Sequence, residues 1–342
     1  MEARARDHSV LTSESPGTQR RGVFTLAHLS DPHLTTLDDV STRELLNKRL
    51  LGYLAWRRRR RHEHADGVLA ALLRDLAALA PEHTAITGDL THIGTPAECR
   101  QARRWLSALG PPDAVTVVPG NHDTYTTAAW DETLGLWSPY MCSDRRQRMA
   151  AEDFPSVRRR GPVALIGVNT ARPTAPLLAT GRVGHQQLER LRTALSVTRQ
   201  QGLCRIVLLH HPVAPNAVSR RKALDDAGAL RELLRESGAE MILHGHGHHV
   251  ARHSIKGPAG RRIPVFSAPS ASALGQGSND KGGYLSFRIR HEGSPRESAP
   301  AAPVWRIDVA VRRYDPLRDQ FRHAARHSLE IPAGPLPVAV SY

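Results

Sequence analysis

Short apolar runs alternate with longer segments of helical periodicity along most of this chain. The run that begins at Val23 ends at Asp31-Pro32, and because proline cannot continue a central strand, it predicts a strand followed by a loop. Apolar residues recur at helical spacing over residues 42–61 and again over residues 65–80. Further strands are predicted at 83–87, 114–118, 163–168, 205–209 and 240–243, and further helices at 96–109, 184–200 and 227–236.

Alternation of strands with helices is typical of an α/β protein. The last part of the chain differs, because its predicted strands follow one another with few helices between them, which indicates antiparallel additions to a sheet. These strands lie at 250–255, 263–267, 284–289 and 304–313. We therefore expect one large domain at 22–315, a disordered basic tail at 1–21 and a C-terminal extension at 316–342.

Polar side chains that can bind metal recur directly after the predicted strands. In α/β folds, sites are built at the carboxyl ends of strands, because those ends meet at one edge of a sheet. A random scatter of histidine and aspartate would not follow this rule. Five strand ends carry such residues, namely Asp31 with His33, Asp89, Asn121 with His122, His210, and His246 with His248.

The chemistry of these side chains points to two metal ions. They offer oxygen and nitrogen donors without thiolate, which suits manganese, iron or zinc and argues against copper(I) or an iron–sulfur cluster. Seven donor side chains are more than one four-coordinate zinc ion requires. They suffice for two ions that share a carboxylate, and ions about 3.5–4 Å apart suit displacement at phosphorus.

The short motifs that contain these residues occur in a known order. They are D-P-H from Asp31, G-D ending at Asp89, G-N-H-D at 120–123, H-H-P at 210–212 and G-H-G-H at 245–248. Together, over about residues 25–267, they resemble the calcineurin-like metallophosphoesterase family, and especially its bacterial cyclic-nucleotide-phosphodiesterase-like branch. The resemblance implies that family's fold, an α/β four-layer sandwich of two mixed β-sheets flanked by helices.

The resemblance also implies a role for each residue. Two divalent or trivalent ions, manganese, iron or zinc, would be bound, with one carboxylate as the bridge. The ligands would be Asp31, His33 and His248 for the first ion, Asn121, His210 and His246 for the second, and Asp89 for the bridge. His122 would donate a proton to the leaving group, with Asp123 orienting it. The implied reaction is hydrolysis of a phosphodiester or phosphomonoester by in-line attack of a metal-bridging hydroxide.

The other histidines have weaker sequence support. His92, three residues after Asp89, is a candidate substrate contact, with packing as the alternative. His211 and His249 flank candidate ligands, where hydrogen bonding to the site and packing are both open. No motif includes His62, His64 or His83.

The chain carries a formal net charge of +14, and one basic amphipathic insertion, about residues 42–64, separates the first two motifs. Four interpretations of this insertion are open. In the first it lies on an anionic membrane surface, and in the second it covers an acidic or lipid-like substrate. In the third it contacts nucleic-acid phosphates, and in the fourth it packs on the core with a solvated arginine end. The membrane contact would use Arg57, Arg58, Arg59, Arg60 and Arg61.

The sequence leaves the substrate open. A phosphorylated small molecule or lipid-like compound is expected. The alternatives are a UDP-diacylglucosamine-type pyrophosphate hydrolase, a nuclease, and a metal-binding scaffold of the same fold without activity. Three widely spaced cysteines and the lack of an apolar run of about 18 residues favour a cytoplasmic protein, at most peripheral to a membrane.

Overall fold

The computed structural model describes residues 22–333 except 35, 39, 59, 145, 147, 276–279 and 293–302. The predicted tail at 1–21, Arg59 and the last part of the 316–342 extension lie outside the described residues. None of the helices in the described part of the chain is long and apolar enough to cross a bilayer.

Two mixed six-stranded sheets form the centre of the molecule. In the first, three parallel strands are extended on one side by three antiparallel strands. Its strands are β1 (Val23–Leu29), β2 (His83–Thr87), β3 (Val115–Val118), β10 (Gly283–Glu292), β11 (Val304–Asp315) and β12 (Gln320–Pro332), in the order β12-β11-β10-β1-β2-β3.

The second sheet has four parallel central strands and an antiparallel strand at each edge. Its strands are β4 (Ser156–Arg160), β5 (Val163–Gly167), β6 (Cys204–Leu208), β7 (Met241–His244), β8 (Ala251–Lys256) and β9 (Arg262–Ser267), in the order β4-β5-β6-β7-β9-β8.

Helices cover the outer faces of both sheets and complete four layers. One buried cluster joins Leu72 and Leu106 of the helices to Ile86 of the first sheet, a second joins the two sheets, and a third joins the second sheet to Leu191 and Leu234. This layering confirms the predicted fold class. The helices are α1 (Arg49–Arg58), α2 (Asp66–Leu79), α3 (Pro96–Leu109), α4 (Ser138–Met141), α5 (His185–Gln200) and α6 (Ala227–Ser237).

Two strands, β4 and β12, were not predicted from the sequence, and the reason is the same for both. β4 reads SVRRR and β12 is exposed along nearly its whole length, so neither shows the apolar alternation that marks a strand. Arg158 of β4 is buried because its guanidinium donates to the carbonyls of Pro112, Val115 and Cys142. β12 pairs with β11 along its whole length, so residues 320–332 of the predicted extension belong to the first sheet.

The insertion differs from its predicted form as one helix over residues 42–61. It consists of a 3-10 turn at Thr42–Leu45, the ten residues of α1, and a second 3-10 turn at Arg60–His62. Of the leucines that share one side of the predicted helix, Leu46, Leu50 and Leu54 are exposed, and Leu45 is partly buried. Its buried side holds Trp56 instead, because Trp56 packs with Leu37 and Ile93 in a small separate cluster.

Candidate metal centre

The predicted ligands converge where the carboxyl ends of parallel strands from both sheets face each other. The first sheet supplies the loops after its three parallel strands, and the second supplies the loops after two of its parallel strands. The resulting order is Asp31 and His33 after β1, Asp89 after β2, Asn121 after β3, His210 after β6, and His246 and His248 after β7.

Four donor atoms surround one candidate ion position. His210 Nε2 lies 3.1 Å from Asn121 Oδ1, 3.1 Å from His246 Nδ1 and 3.3 Å from Asp89 Oδ2. His210 Nδ1 lies 2.7 Å from the carbonyl of Thr87, which fixes the ring so that Nε2 faces the other donors. All of these ligand side chains are buried. Such a gathering of lone pairs is stabilised by a cation at its centre.

The electrostatics of His210 support the same conclusion. Burial alone would lower its pKa, but the carboxylates of Asp89 and Asp31 outweigh burial and raise the pKa of His210 to about 9. The two carboxylates therefore stabilise positive charge at this position. A site that stabilises an imidazolium without metal is suited to a metal cation in its place.

The second candidate ion position lies around Asp31. Ligand atoms of Asp31, His33 and His248 lie within 4.8 Å of one another, as do those of Asp31, Asp89 and His210. His33 Nδ1 is 2.9 Å from the carbonyl of Thr91, which leaves its Nε2 for a ligand. Asp31 Oδ1 is buried and accepts no well-formed hydrogen bond from the described residues, although His248 Nε2 lies 3.2 Å away. A metal ion would satisfy that oxygen.

The backbone of the ligand loops is held in an unusual conformation. Few residues other than glycine adopt positive φ, yet several candidate ligands do, which costs of order 1 kcal/mol or more each. Both sheets contribute, so the strain is a property of the site and not of one loop. The residues are Asp31 (φ 49°), His33 (φ 43°), Asp89 (φ 56°), His246 (φ 67°) and His248 (φ 57°).

Neighbouring backbone groups hold these loops in place. The N–H groups of Asp31 and His33 donate to the carbonyls of Gly88 and Asp89, which ties the first two ligand loops together. Gly120 lies so close to Asp89 that a Cβ there would overlap the Asp89 carboxylate. The glycine of the third loop is therefore required for the bridging position to form.

Asp123, which is predicted to orient His122, accepts hydrogen bonds from backbone and hydroxyl groups of the neighbouring loops. Its Oδ2 accepts hydrogen bonds of 2.9 Å from the N–H groups of Asp89 and Gly120, and its Oδ1 accepts bonds of 3.0 Å from the N–H and hydroxyl of Thr91. These bonds fix the loop that carries Asp89. Burial and the nearby Asp89 carboxylate raise the pKa of Asp123 to about 7.

The His122 ring lies against the candidate ion position around Asp31 and His33, and two groups meet its Nδ1. That nitrogen is 2.5 Å from the carbonyl of His92 and 3.2 Å from Arg60 Nη1. The His122 ring also meets the edge of the His33 ring, with centroids 5.1 Å apart. Burial and the Arg60 guanidinium hold the pKa of His122 well below its usual range.

Arg60 and His64 are site neighbours that the sequence analysis did not identify. The His64 ring lies 4.6 Å from that of His33, and His64 Nδ1 lies 2.7 Å from Ser272 Oγ. His92 stacks on His33 at 5.0 Å. In the sequence, the only sign that these three residues belong to the site was their position, with Arg60 and His64 at the end of the insertion and His92 after a motif. The fold alone brings them to the centre.

The insertion is fixed over this site. Arg49 Nε donates to the carbonyl of Ile93 at 3.0 Å, and Arg49 Nη2 to that of Gly94 at 2.8 Å. Gly52 allows α1 to approach closely, since a Cβ there would lie 2.6 Å from Ile93 Cγ2. Arg60 then lines two cavities of about 340 and 330 Å³, one beside His33 and the other beside His122.

Comparisons with known proteins agree with this geometry. The family model described as calcineurin-like phosphoesterase matches residues 24–250, more than half of the chain. A dimetal phosphatase from Danio rerio is 13% identical with a TM-score of 0.50, and the match covers 91% of this chain and 99% of that one. The purple acid phosphatase PPD1 from seeds of yellow lupin, Lupinus luteus, is 14% identical with a TM-score of 0.50, over 91% of this chain and 54% of the lupin chain.

At these identities the two solved structures show a shared fold and nothing finer. This chain spans about half the length of the lupin protein. A search of curated proteins found no match to the chain.

Proposed function

Because this chain belongs to the calcineurin-like phosphoesterase family, we propose that it is a dinuclear-metal-dependent phosphoesterase acting on a phosphodiester or phosphomonoester. The observation that carries the proposal is the convergence of His210 Nε2 with donor atoms of Asp89, Asn121 and His246. The seven predicted ligands would hold two ions, and Asp89 would be the carboxylate that they share. When bound, two such ions supply Lewis-acid activation of the phosphoryl group and of the attacking water.

The chain's own residues perform the remaining steps. Asp123 holds the Asp89 loop through three backbone N–H groups, so the bridging carboxylate is positioned before substrate arrives. The His122 ring meets that of His33, a candidate ligand, and His122 is the proposed proton donor to the leaving oxygen. Arg60 Nη1, 3.2 Å from His122, is placed to bind an anionic oxygen of the substrate.

Metal-dependent turnover of bis-p-nitrophenyl phosphate tests the proposal directly. The protein is stripped with a chelator and then supplied separately with manganese, iron or zinc. We expect turnover to vanish on stripping and to return with at least one of these metals, with close to two ions bound per chain by elemental analysis.

The control is the Asp113→Asn variant, which changes an exposed carboxylate on the loop before β3 and should behave like the parent. Folded protein that binds metal but shows no turnover with any of the three would instead favour a scaffold of the same fold.

The phosphodiesterase assignment and the cyclic-nucleotide-like branch are finer parts of the proposal. They are supported by the loops G-D-L-T-H and G-N-H-D-T, which lack the arginine-containing blocks that the resemblance associates with protein phosphatases. A matched pair of substrates separates the possibilities. Faster hydrolysis of bis-p-nitrophenyl phosphate than of p-nitrophenyl phosphate is expected, and the reverse ranking would indicate a monoesterase.

A pyrophosphate hydrolase acting on a lipid-linked nucleotide is the second candidate. The exposed leucines of the insertion favour it, since Leu46 is 82% exposed and Leu50 and Leu51 are each nearly half exposed beside the site. The nuclease alternative rests on net charge alone. Duplex DNA that is neither bound nor cleaved at moderate salt would remove that alternative.

A contact with an anionic membrane surface would draw on the predicted arginines to different extents. Arg57 and Arg58 are exposed at the end of α1, whereas Arg60 is directed to His122 and Arg61 donates to His62 at 3.0 Å. We propose that any membrane contact is made through the first pair. Co-sedimentation with phosphatidylglycerol vesicles should then weaken in an Arg57→Ala/Arg58→Ala variant, and unchanged sedimentation would contradict a membrane role.

A further inference from the structure

The cavity of about 330 Å³ beside His122 extends away from the candidate metal centre. One wall is the insertion, including Leu51 and Ala55, and another is the segment from Thr174 to Ala179. Lys48 Nζ donates to Thr174 Oγ1 at 2.9 Å and joins these two walls. Because His122 is the proposed donor to the leaving group, the group that departs from phosphorus enters this cavity.

Three leucines in the walls of the cavity stay accessible to solvent. Leu51 is 46% exposed, Leu178 is 38% exposed and Leu177 is 79% exposed. Tyr125, the one phenol ring among the described lining residues, already contacts other groups. It stacks on His122 at 5.7 Å, and Lys48 Nζ lies 4.5 Å from its centroid. The cavity therefore suits an alkyl chain better than a nucleobase, which would need a free aromatic face.

The backbone holds Leu177 outward at a cost. The N–H of Leu178 donates to the carbonyl of Ala175, which closes a turn with Pro176 and Leu177 at its two central positions. Leu177 has φ 66°, in the region that such a turn reserves for glycine or asparagine. The positive φ of Leu177 costs stability. Stability therefore does not explain why a leucine occupies this position in the cavity beside the proposed reaction centre.

The charge of the cavity complements an anion. The described lining residues include Lys48, Arg60, Arg221 and Lys222 and no aspartate or glutamate. A phosphoester held at the metal centre would carry negative charge towards these cations. Its uncharged chain would lie on the leucines beyond them.

We propose that this cavity, named here the leaving-group pocket, binds a single aliphatic chain esterified to the phosphate, so that the substrate is an amphiphilic phosphate ester. The inference rests on the proposed function, because it takes His122 as the leaving side. It places Leu51, Leu177 and Leu178 as specificity-determining residues.

The test measures the binding of n-butylphosphonate and n-octylphosphonate, which cannot be hydrolysed, to manganese-loaded protein by calorimetry. Below the micellar concentration, the octyl compound is expected to bind at least about 10-fold more tightly, because four further methylenes are partly buried. Turnover of bis-p-nitrophenyl phosphate, which has no alkyl chain, is measured separately on the same protein.

Leu177→Gly removes the side chain and also relieves the positive φ, so this variant should melt no lower than the parent. We expect it to reduce the octyl-to-butyl preference to about 3-fold or less. Leu51→Ala, in a helix that tolerates alanine, should lower the preference in the same direction. The matched control is Leu317→Gly, which removes a 93% exposed leucine outside the cavity and should keep the preference of the parent.

Equal binding of the two phosphonates by the parent protein would overturn the inference. So would an equal loss of preference in Leu177→Gly and Leu317→Gly, or binding to phosphatidylglycerol vesicles without chain-length preference. The two proposals can fail separately. Turnover without chain-length preference would support the phosphoesterase proposal and contradict the leaving-group pocket. Chain-length preference without turnover would support the pocket and contradict the phosphoesterase proposal.

Discussion

The strand-end loops and the insertion border the same site but are built in opposite ways. The loops place buried ligands at strained backbone positions, as at Asp31, Asp89 and His246, and tie them together with hydrogen bonds. The insertion rests on a small cluster around Trp56 and leaves its leucines exposed. Rigid, buried geometry suits a metal centre, whereas an exposed apolar and basic surface suits recognition of a substrate.

From this difference we expect that the proposed chemistry and the choice of substrate can be altered separately in this molecule. The loops need the whole sandwich, because both sheets must meet to bring the ligands together. The insertion needs only the few contacts that hold it over Ile93 and Gly94. Changes to the loops should therefore remove turnover, and changes to the insertion should alter which substrates are used.

The largest effect is expected from Asp89→Asn. The amide keeps an oxygen that can accept from the His122 N–H, now bonded to Asp89 Oδ1 at 2.8 Å, so the fold should survive. The negative charge of the proposed bridging carboxylate is lost. Turnover should fall by about 10³-fold, the equivalent of roughly 4 kcal/mol, and bound metal should fall below two ions per chain. Steady-state kinetics and elemental analysis measure both, and full metal occupancy would contradict the bridging role.

His122→Ala should have the next largest effect and should leave the metal in place. Loss of a general acid lowers the rate by about 10²–10⁴-fold for esters with poor leaving groups. Esters of p-nitrophenol, whose leaving oxygen needs little protonation, should lose far less. Comparing kcat for alkyl and p-nitrophenyl esters tests this expectation, and equal losses on both would remove His122 from the role of proton donor.

Arg60→Ala should have an intermediate effect, from the insertion side. Removing a charged contact to the substrate should lower kcat/KM by roughly 10–100-fold, while metal content stays unchanged. Arg57→Ala is the matched control, since Arg57 lies in the same element, is exposed and lines neither cavity. Similar losses in both variants would mean that general positive charge, and not the position of Arg60, is what matters.

The smallest effect is expected from a pair of glycine substitutions. A Cβ at Gly52 would meet Ile93 and Tyr125, so Gly52→Ala should lower the stability of the fold by about 1–3 kcal/mol through overpacking. Because this clash should also displace α1 from the site, KM should rise several-fold. The same change at Gly67 of α2, which has nothing within 4 Å, should stabilise the fold by up to about 1 kcal/mol. Thermal melting and KM values check the pair, and stabilisation by Gly52→Ala would mean that α1 does not rest against Ile93.

Much of the fold was predictable because its core elements are strongly patterned. α3 at Pro96–Leu109 matches its predicted bounds because its apolar residues recur at helical spacing, and β2 at His83–Thr87 matches as the short run between Pro81 and the loop that begins at Gly88. β12 was missed because it pairs through its backbone while its side chains face solvent. The contacts of the insertion were not predictable, because Trp56 and Arg49 pack against and bind specific partners that helical periodicity does not reveal.

The sequence by itself determined the alternation of strands and helices and the placing of metal-capable residues at strand ends, because both depend on local order along the chain. Only the tertiary structure decided that Asp123 fixes the Asp89 loop, that Arg60 and His64 lie beside the ligands, and that Leu177 faces solvent from a strained turn. The places of Asp123, Arg60 and His64 depend on hydrogen bonds and packing between segments far apart in the sequence, which form only once those segments have folded together. The φ of Leu177 belongs to a local turn, and only the place of that turn beside the insertion depends on the fold.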